Sequence, residues 1–145
     1  MTTWSAPGKV FLFGEHAVVY GKPGLAMAIK PRVMVTVRES RYHRKPNSPY
    51  IAECFRLMDV KGSVYVRSQL PSSSGLGSSA AVTVATLCAI NDEFDMKKNR
   101  AEIADLAHQV EMSAQNGRAS ATDTYVSAFG GMVLVRGSEK RRLLP

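Results

Sequence analysis

A glycine- and serine-rich stretch carries the clearest chemistry in this 145-residue sequence. It reads Pro71-Ser72-Ser73-Ser74-Gly75-Leu76-Gly77-Ser78-Ser79-Ala80-Ala81 and lies between a β-branched run and a long apolar, alanine-rich run. We therefore expect a strand before the loop and a helix directly after it. A helix N-terminus offers unpaired N–H groups and the positive end of its dipole, while glycines let an anion approach the backbone closely. The stretch predicts a phosphate-binding loop, with an ordinary flexible loop as the alternative.

The loop lacks the Gly-Lys-Ser/Thr ending of a Walker A motif. It resembles instead the second motif of the GHMP small-molecule kinases, Pro-x-x-x-Gly-Leu-Gly-Ser-Ser-Ala. The first motif of that family is matched by Pro7-Gly8-Lys9-Val10 and by the run Gly14-Glu15-His16-Ala17-Val18-Val19-Tyr20-Gly21. Within the family, this run is most similar to the mevalonate kinases. The resemblance extends from Ala6 to Val135 and is weakest between Arg38 and Gly62.

The resemblance implies a kinase that uses ATP and magnesium to phosphorylate the 5-hydroxyl of (R)-mevalonate in isoprenoid biosynthesis. A GHMP kinase acting on phosphomevalonate or homoserine is the nearest alternative, because motif analogy does not fix a substrate. A non-catalytic nucleotide- or RNA-binding module is a third, favoured by the net charge of +7. We expect ATP and mevalonate as partners, without nucleic acid or a membrane. The oligomeric state stays open, with a homodimer among the options.

The resemblance also assigns catalytic and substrate-binding roles. Asp123 lies in Ala119-Ser120-Ala121-Thr122-Asp123-Thr124, which is similar to an archaeal mevalonate kinase pattern, and matches the base that accepts the hydroxyl proton. Lys9 matches the lysine that pairs with this aspartate and keeps it ionised. His16 and Glu15 match residues on the substrate side. The simpler alternatives are a solvated lysine, a histidine that makes local hydrogen bonds, and an aspartate that caps a helix.

A second set of residues is assigned to the nucleotide and its metal. The stretch Pro71 to Ala80 matches the cradle for the phosphates. Ser79 and Glu111 match the magnesium ligands, and both supply the hard oxygen atoms that magnesium prefers. Glu111 could instead be an ordinary exposed helix residue. It lies one residue further from Asp123 than the family pattern, as if Asn116 were inserted.

The pattern of apolar residues predicts an α+β fold, a mostly antiparallel sheet with helices on one face, as in the ribosomal-protein-like N-terminal domain of the family. Strands are predicted at Lys9–Phe13, Leu25–Ile29, Arg32–Arg38, Ser63–Ser68 and, as the final one, Met132–Val135. One helix is predicted at Tyr50–Met58, and a second runs from the glycine-serine loop to about Ile90. A third begins after Asn99, which looks like an N-cap paired with Glu102, and a short fourth begins at Ser120.

Length and composition indicate one domain of a cytoplasmic protein. The sequence has no long uncharged apolar stretch or signal peptide, and Cys54 and Cys88 are expected to be buried reduced thiols. The basic cluster from Arg136 to Arg142 is interpreted as a solvated loop. GHMP kinases continue into a second half that carries a third motif, and nothing after Gly131 resembles it. We therefore expect residues 1–145 to form the N-terminal ATP-binding domain without the C-terminal domain, with weak or absent activity alone.

Overall fold

The computed structural model describes residues 1–42, 46–71 and 74–144. It confirms the predicted α+β fold. In chain order the elements are β1 (Thr2–Phe13), a short 3-10 helix (Ala17–Tyr20), β2 (Pro23–Glu39), α1 (Pro49–Met58), β3 (Gly62–Ser68), α2 (Ser78–Glu93), α3 (Arg100–Ala114), α4 (Ala121–Phe129), β4 (Met132–Arg136) and β5 (Glu139–Leu144).

The long strand β2 is the centre of the sheet. Strand β1 pairs along one side of it, while β4 pairs with its first half and β3 with its second half on the other side. Strand β5 pairs with β4, and each of these pairings is antiparallel. The prediction of a mostly antiparallel sheet is therefore confirmed.

The prediction of two strands separated at Lys30-Pro31 is wrong, because β2 runs through these residues. The register with β1 nevertheless shifts there, since Pro7 lies opposite Arg32 and Lys9 lies opposite Ala28. One residue of β1 thus spans the same distance as three residues of β2. A bulge of this kind accommodates a proline, which cannot donate a ladder hydrogen bond.

The end of the sheet also differs from the prediction. Met132 does not begin the final strand, because residues 139–144 form β5 and pair with β4. The basic residues there were interpreted as a solvated loop, yet they lie on an edge strand. Charged side chains are common on such edges, where they discourage pairing with another chain. Strand β1 is longer than predicted and begins at Thr2.

The core lies between one face of the sheet and the helices. The residues of β2 alternate between the two faces, because Val33, Val35 and Val37 are buried while Met34 is 45% exposed on the other face. Helix α1 contributes one apolar side, Ile51, Cys54, Phe55 and Met58. This arrangement leaves the second face of the sheet in solvent.

Helix α2 is central, as its almost entirely apolar sequence predicts. It contacts β1, β2 and the other three α-helices, and its buried positions lie all around its circumference. The N-terminus of α3 has the predicted capping box, in which Asn99 and Glu102 bond each other's backbone N–H groups. Helix α2, which begins directly after the glycine-serine loop, is therefore fixed by packing on all sides.

Cys54 and Cys88 are both free, and Cys54 is buried while Cys88 is partly buried. Burial raises the pKa of the Cys88 thiol to about 11. Within the described ranges, none of the helices has the length and apolar character needed to cross a membrane.

Replacing Leu87 by alanine should strongly destabilise the chain. Its side chain is completely buried in α2, and the substitution leaves a cavity that costs about 2–5 kcal/mol of unfolding free energy. Met34→Ala, on the exposed face of β2, is the control and should cost less than about 1 kcal/mol. Urea unfolding measures both, and equal losses would show that α2 is not the centre of the core.

Candidate active site

Lys9 is the residue around which the site is built. It follows the register shift in β1 and is 5% exposed. Its Nζ atom donates a hydrogen bond to the carbonyl oxygen of Gly75 at 3.2 Å and lies 3.5 Å from Oδ1 of Asp123. The same ammonium group lies 5.0 Å from the centroid of the Phe11 ring. A single buried cation thus joins the glycine-serine loop to helix α4.

The loop is held close to β1 by glycines. The backbone N–H of Lys9 donates to the carbonyl oxygen of Leu76 at 2.8 Å. A Cβ atom at Gly8 would lie 2.7 Å from that same oxygen, and one at Gly77 would lie 2.9 Å from Cγ of Lys9. Gly77 also has a φ of 71°, which a side chain would disfavour. These glycines are therefore required for the contact between the lysine and the loop.

Helix α2 begins immediately after the loop, as predicted, with Gly77 as its N-cap. In the part of the chain that the structure describes, no side chain caps this helix. Its first-turn N–H groups, including those of Ser78, Ser79 and Ala80, therefore suit an anion. Ser74 donates its hydroxyl to the Pro71 carbonyl oxygen. The predicted cradle residues Ser72 and Ser73 lie outside the described residues.

Asp123 lies in the first turn of α4, where it faces Lys9. The N-cap of this helix is Ser120, whose hydroxyl accepts a hydrogen bond from the backbone N–H of Thr122. The alternative that Asp123 caps its own helix is therefore wrong. Its side chain is 24% exposed and is therefore partly accessible from solvent.

Burial raises the pKa of Asp123 above its ordinary value, and the charge of Glu15 adds to this effect. The ammonium group of Lys9 acts in the opposite direction. The prediction from the sequence includes only the effect of Lys9 on the pKa of Asp123. It does not include burial, which has the larger effect on that pKa. A carboxylate with a raised pKa is a better proton acceptor than a fully solvated one.

Glu111 is buried near the end of α3, with 2% of its surface exposed. The alternative of an ordinary exposed helix residue is therefore wrong. Its Oε2 atom accepts a hydrogen bond from Gln115 at 3.1 Å, while its Oε1 atom has no partner among the described residues. Burial, followed by the charge of Asp123, raises the pKa of Glu111 to about 7.

This unpartnered buried oxygen fits a magnesium ligand. The described residues contain no cluster of three histidine, cysteine or acidic side chains that could hold a metal unaided. Magnesium is commonly bound through one or two carboxylates, with phosphate oxygens and water completing its six ligands. Glu111 and the hydroxyl of Ser79, half-buried in the first turn of α2, have the donor chemistry for such a site.

Glu15 and His16 lie in the turn before the short 3-10 helix, and both are exposed. The charge of Glu15 contributes to the raised pKa of Asp123, after the larger effect of burial. His16 occupies the N-cap position of the 3-10 helix, but its side chain makes no hydrogen bond within the described ranges. The structure thus brings Lys9 and Asp123 into contact, while Glu15 and His16 lie on an exposed turn.

Two contacts to this site were not predicted. Phe11 lies beside the ammonium group of Lys9. The two residues are two positions apart in β1, and this spacing could have predicted that their side chains lie on the same face of the strand. Ser127 donates its hydroxyl to the Pro7 carbonyl oxygen at 2.8 Å across the core. The spacing of four residues places Ser127 on the same helical face as Asp123, but its bond to Pro7 depends on how α4 packs against β1.

The chain is similar in sequence and in fold to known kinases. The family profile described as GHMP kinases N terminal domain matches residues 48–131. A mevalonate kinase of Archaeoglobus fulgidus is 43% identical over 88% of this chain, and one of Methanothermobacter thermautotrophicus is 39% identical over 95%. The crystal structure of the Methanococcus jannaschii mevalonate kinase superposes with a TM-score of 0.85 at 26% identity, covering 99% of this chain and 56% of that one. The chain covers 50% and 51% of the two curated relatives, about half of their length.

The stability of the metal-free chain should depend on pH through Glu111. The folded state retains a proton there up to a pKa of about 7, whereas the unfolded state releases it near the ordinary 4.5. The unfolding free energy should therefore fall as pH rises through this window and level off above it. Glu111→Gln should remove a decrease on the order of 2 kcal/mol.

Urea unfolding at pH 5 and pH 8 measures this difference. Glu139→Gln, at an exposed position on β5, is the control and should keep the wild-type pH dependence. The same pH dependence in Glu111→Gln and in the wild type would contradict the interpretation of Glu111.

Proposed function

This chain belongs to the GHMP kinase family, and we propose that its site transfers the γ-phosphoryl group of ATP to the 5-hydroxyl of (R)-mevalonate. The observation that carries the proposal is the buried Lys9, whose ammonium group contacts both the Gly75 carbonyl and the Asp123 carboxylate. A phosphate loop and a candidate base are thus adjacent to the same cation. Phosphoryl transfer requires this proximity, because catalysis depends chiefly on positioning and charge stabilisation.

In the proposed reaction, Asp123 accepts the proton of the attacking hydroxyl. Its side chain is partly accessible from solvent, and its raised pKa suits proton transfer. Lys9 holds the carboxylate in place and stabilises the negative charge that develops on the phosphoryl oxygens. Glu15 and His16 are proposed to contact mevalonate from the exposed turn after β1.

The stretch Pro71 to Ala80 is proposed to cradle the phosphates through the N-terminus of α2. Ser79 and Glu111 would hold magnesium, which when bound neutralises charge on the β- and γ-phosphates. A partner for the buried, unpaired oxygen of Glu111 would remove the cost of its isolation. We propose that residues 1–145 form the ATP-binding domain of the kinase.

A groove between α1, β3 and α2 is a candidate site for the nucleotide base. Its volume is about 660 Å³. Val82, one turn after the first residue of α2, lines this groove. We propose that a nucleotide lies along the groove with its phosphates at the N-terminus of α2. Its lining combines apolar residues with a side-chain amide, as small-molecule sites commonly do. The lining residues include Asn47, Ile51, Val64, Val66 and Val82.

Mevalonate is favoured over other acceptors by the relatives, not by the geometry of the pocket. The two curated relatives above are both named mevalonate kinase. Phosphomevalonate and homoserine remain the acceptors against which the proposal is tested. Phosphomevalonate carries an additional phosphate and homoserine carries an amino group. A site for either acceptor would therefore need charged side chains that differ from those of a mevalonate site.

Asp123→Asn should abolish phosphoryl transfer and leave the affinity for MgATP nearly unchanged. The amide cannot accept the proton, so we expect a loss of roughly 10²- to 10⁴-fold in kcat. ADP release is measured with MgATP and, separately, mevalonate, phosphomevalonate or homoserine, in this chain and in a chain that includes a second GHMP half. The wild-type chain with the second half should release ADP with mevalonate, whereas residues 1–145 alone should release little or none. Asp105→Asn, at an exposed position on α3, is the control. Normal turnover by Asp123→Asn would contradict its role as the base.

Ser79→Ala should weaken nucleotide binding in the presence of magnesium. Loss of a metal ligand should reduce the affinity for MgATP about tenfold or more, whereas binding of ATP without magnesium should change little. Titration calorimetry with and without magnesium measures both values. Ser78→Ala is the matched comparison, since the two hydroxyls are adjacent in the first turn of α2. An unaltered affinity in Ser79→Ala, with a loss in Ser78→Ala, would assign the ligand to Ser78.

A further inference from the structure

Ser127 ties helix α4 to strand β1 inside the protein. Its side chain is 4% exposed, and its hydroxyl donates to the Pro7 carbonyl oxygen at 2.8 Å. The two residues are 120 positions apart in the sequence. Pro7 precedes Lys9 by two residues, so this bond reaches the backbone next to the lysine at the centre of the site.

The same helix carries Asp123 one turn earlier. Residues four apart on a helix lie on one face, so Asp123 and Ser127 both point towards β1. Asp123 reaches the side chain of Lys9 and Ser127 reaches the backbone of Pro7. Two attachment points on one helical turn fix both the rotation of α4 and its position along the strand.

This part of β1 is not held by a regular ladder. The register with β2 shifts between Pro7 and Lys9, where Gly8 alone spans the bulge. On one side, the N–H of Lys9 bonds the Leu76 carbonyl oxygen and so anchors the loop. On the other side, the hydroxyl of Ser127 anchors α4. The segment from Pro7 to Lys9 is therefore the common support for the loop and for the helix that carries Asp123.

From these contacts we propose that Ser127 is a positioning residue, which sets the distance between the carboxylate of Asp123 and the ammonium group of Lys9. The proposal rests on the function proposed above, in which these two groups act together on the acceptor hydroxyl. The two groups are separated by 3.5 Å, which is longer than a close charged hydrogen bond. A small movement of α4 would therefore change the pairing.

The first test uses kinetics. Ser127→Ala should lower kcat for mevalonate roughly 10- to 100-fold, because α4 is no longer held in register with β1. The KM for ATP should change little, since the loop keeps its own bond to Lys9. The control is Thr86→Val, which removes another fully buried hydroxyl whose bond, to the Val82 carbonyl oxygen, is local to α2. That variant should retain the wild-type kcat.

The second test does not depend on turnover. The Asp123 carboxyl is titrated by carbon-13 NMR in this chain, in Ser127→Ala and in Thr86→Val. Lys9 lowers the pKa of Asp123, so weakening the pair should raise that pKa further in Ser127→Ala and leave it unchanged in Thr86→Val. An unchanged Asp123 pKa in Ser127→Ala would overturn the positioning role.

The two tests separate the two proposals. If the wild-type chain that includes a second GHMP half does not phosphorylate mevalonate, the proposed function fails, while the NMR titration still decides the role of Ser127. If mevalonate is phosphorylated but Ser127→Ala keeps the wild-type kcat and Asp123 pKa, the positioning role fails and the proposed function stands.

Discussion

A buried ammonium group must find negative partners, and this requirement determines how the parts of the molecule meet at Lys9. The lysine is 5% exposed and is satisfied by the Gly75 carbonyl and the Asp123 carboxylate. To reach both, the glycine-serine loop must lie against β1 and helix α4 must present its first turn. Glycines at positions 8 and 77 allow the first contact, and the register shift of β1 against β2 accompanies it.

The acidic residues that act on this site carry more charge than the single ammonium group of Lys9 can neutralise. Burial raises the pKa values of Glu111 and Asp123. The charge of Asp123 adds to the effect on Glu111, and the charge of Glu15 adds to the effect on Asp123. A divalent cation would offset this excess of negative charge, and negative phosphates would in turn be attracted to the cation and to the N-terminus of α2. The electrostatics thus favour a metal and a phosphorylated ligand together.

Much of this arrangement could be predicted from the sequence, because its signals are local. Alternating valines in β2, the Asn99 capping box and the loop directly before α2 each depend on neighbouring residues. The bulge at Lys30-Pro31 was interpreted as a break, since periodicity does not distinguish an interrupted strand from a shifted register. The burial of Glu111 and the bond from Ser127 to Pro7 depend on how distant elements pack, which no local pattern encodes. Strand β5 was missed because its basic composition is also typical of a solvated loop.

We propose that this chain binds a magnesium nucleotide at one site built on Lys9 and the glycine-serine loop. Titration calorimetry of the 145-residue chain with MgATP, at low and high salt and beside single-stranded RNA, tests it most directly. We expect one MgATP to bind per chain, with an affinity that requires magnesium and changes modestly with salt. We expect no comparable binding of RNA. Absence of MgATP binding, with RNA binding that falls steeply as salt rises, would contradict it and would indicate a polyanion-binding module instead.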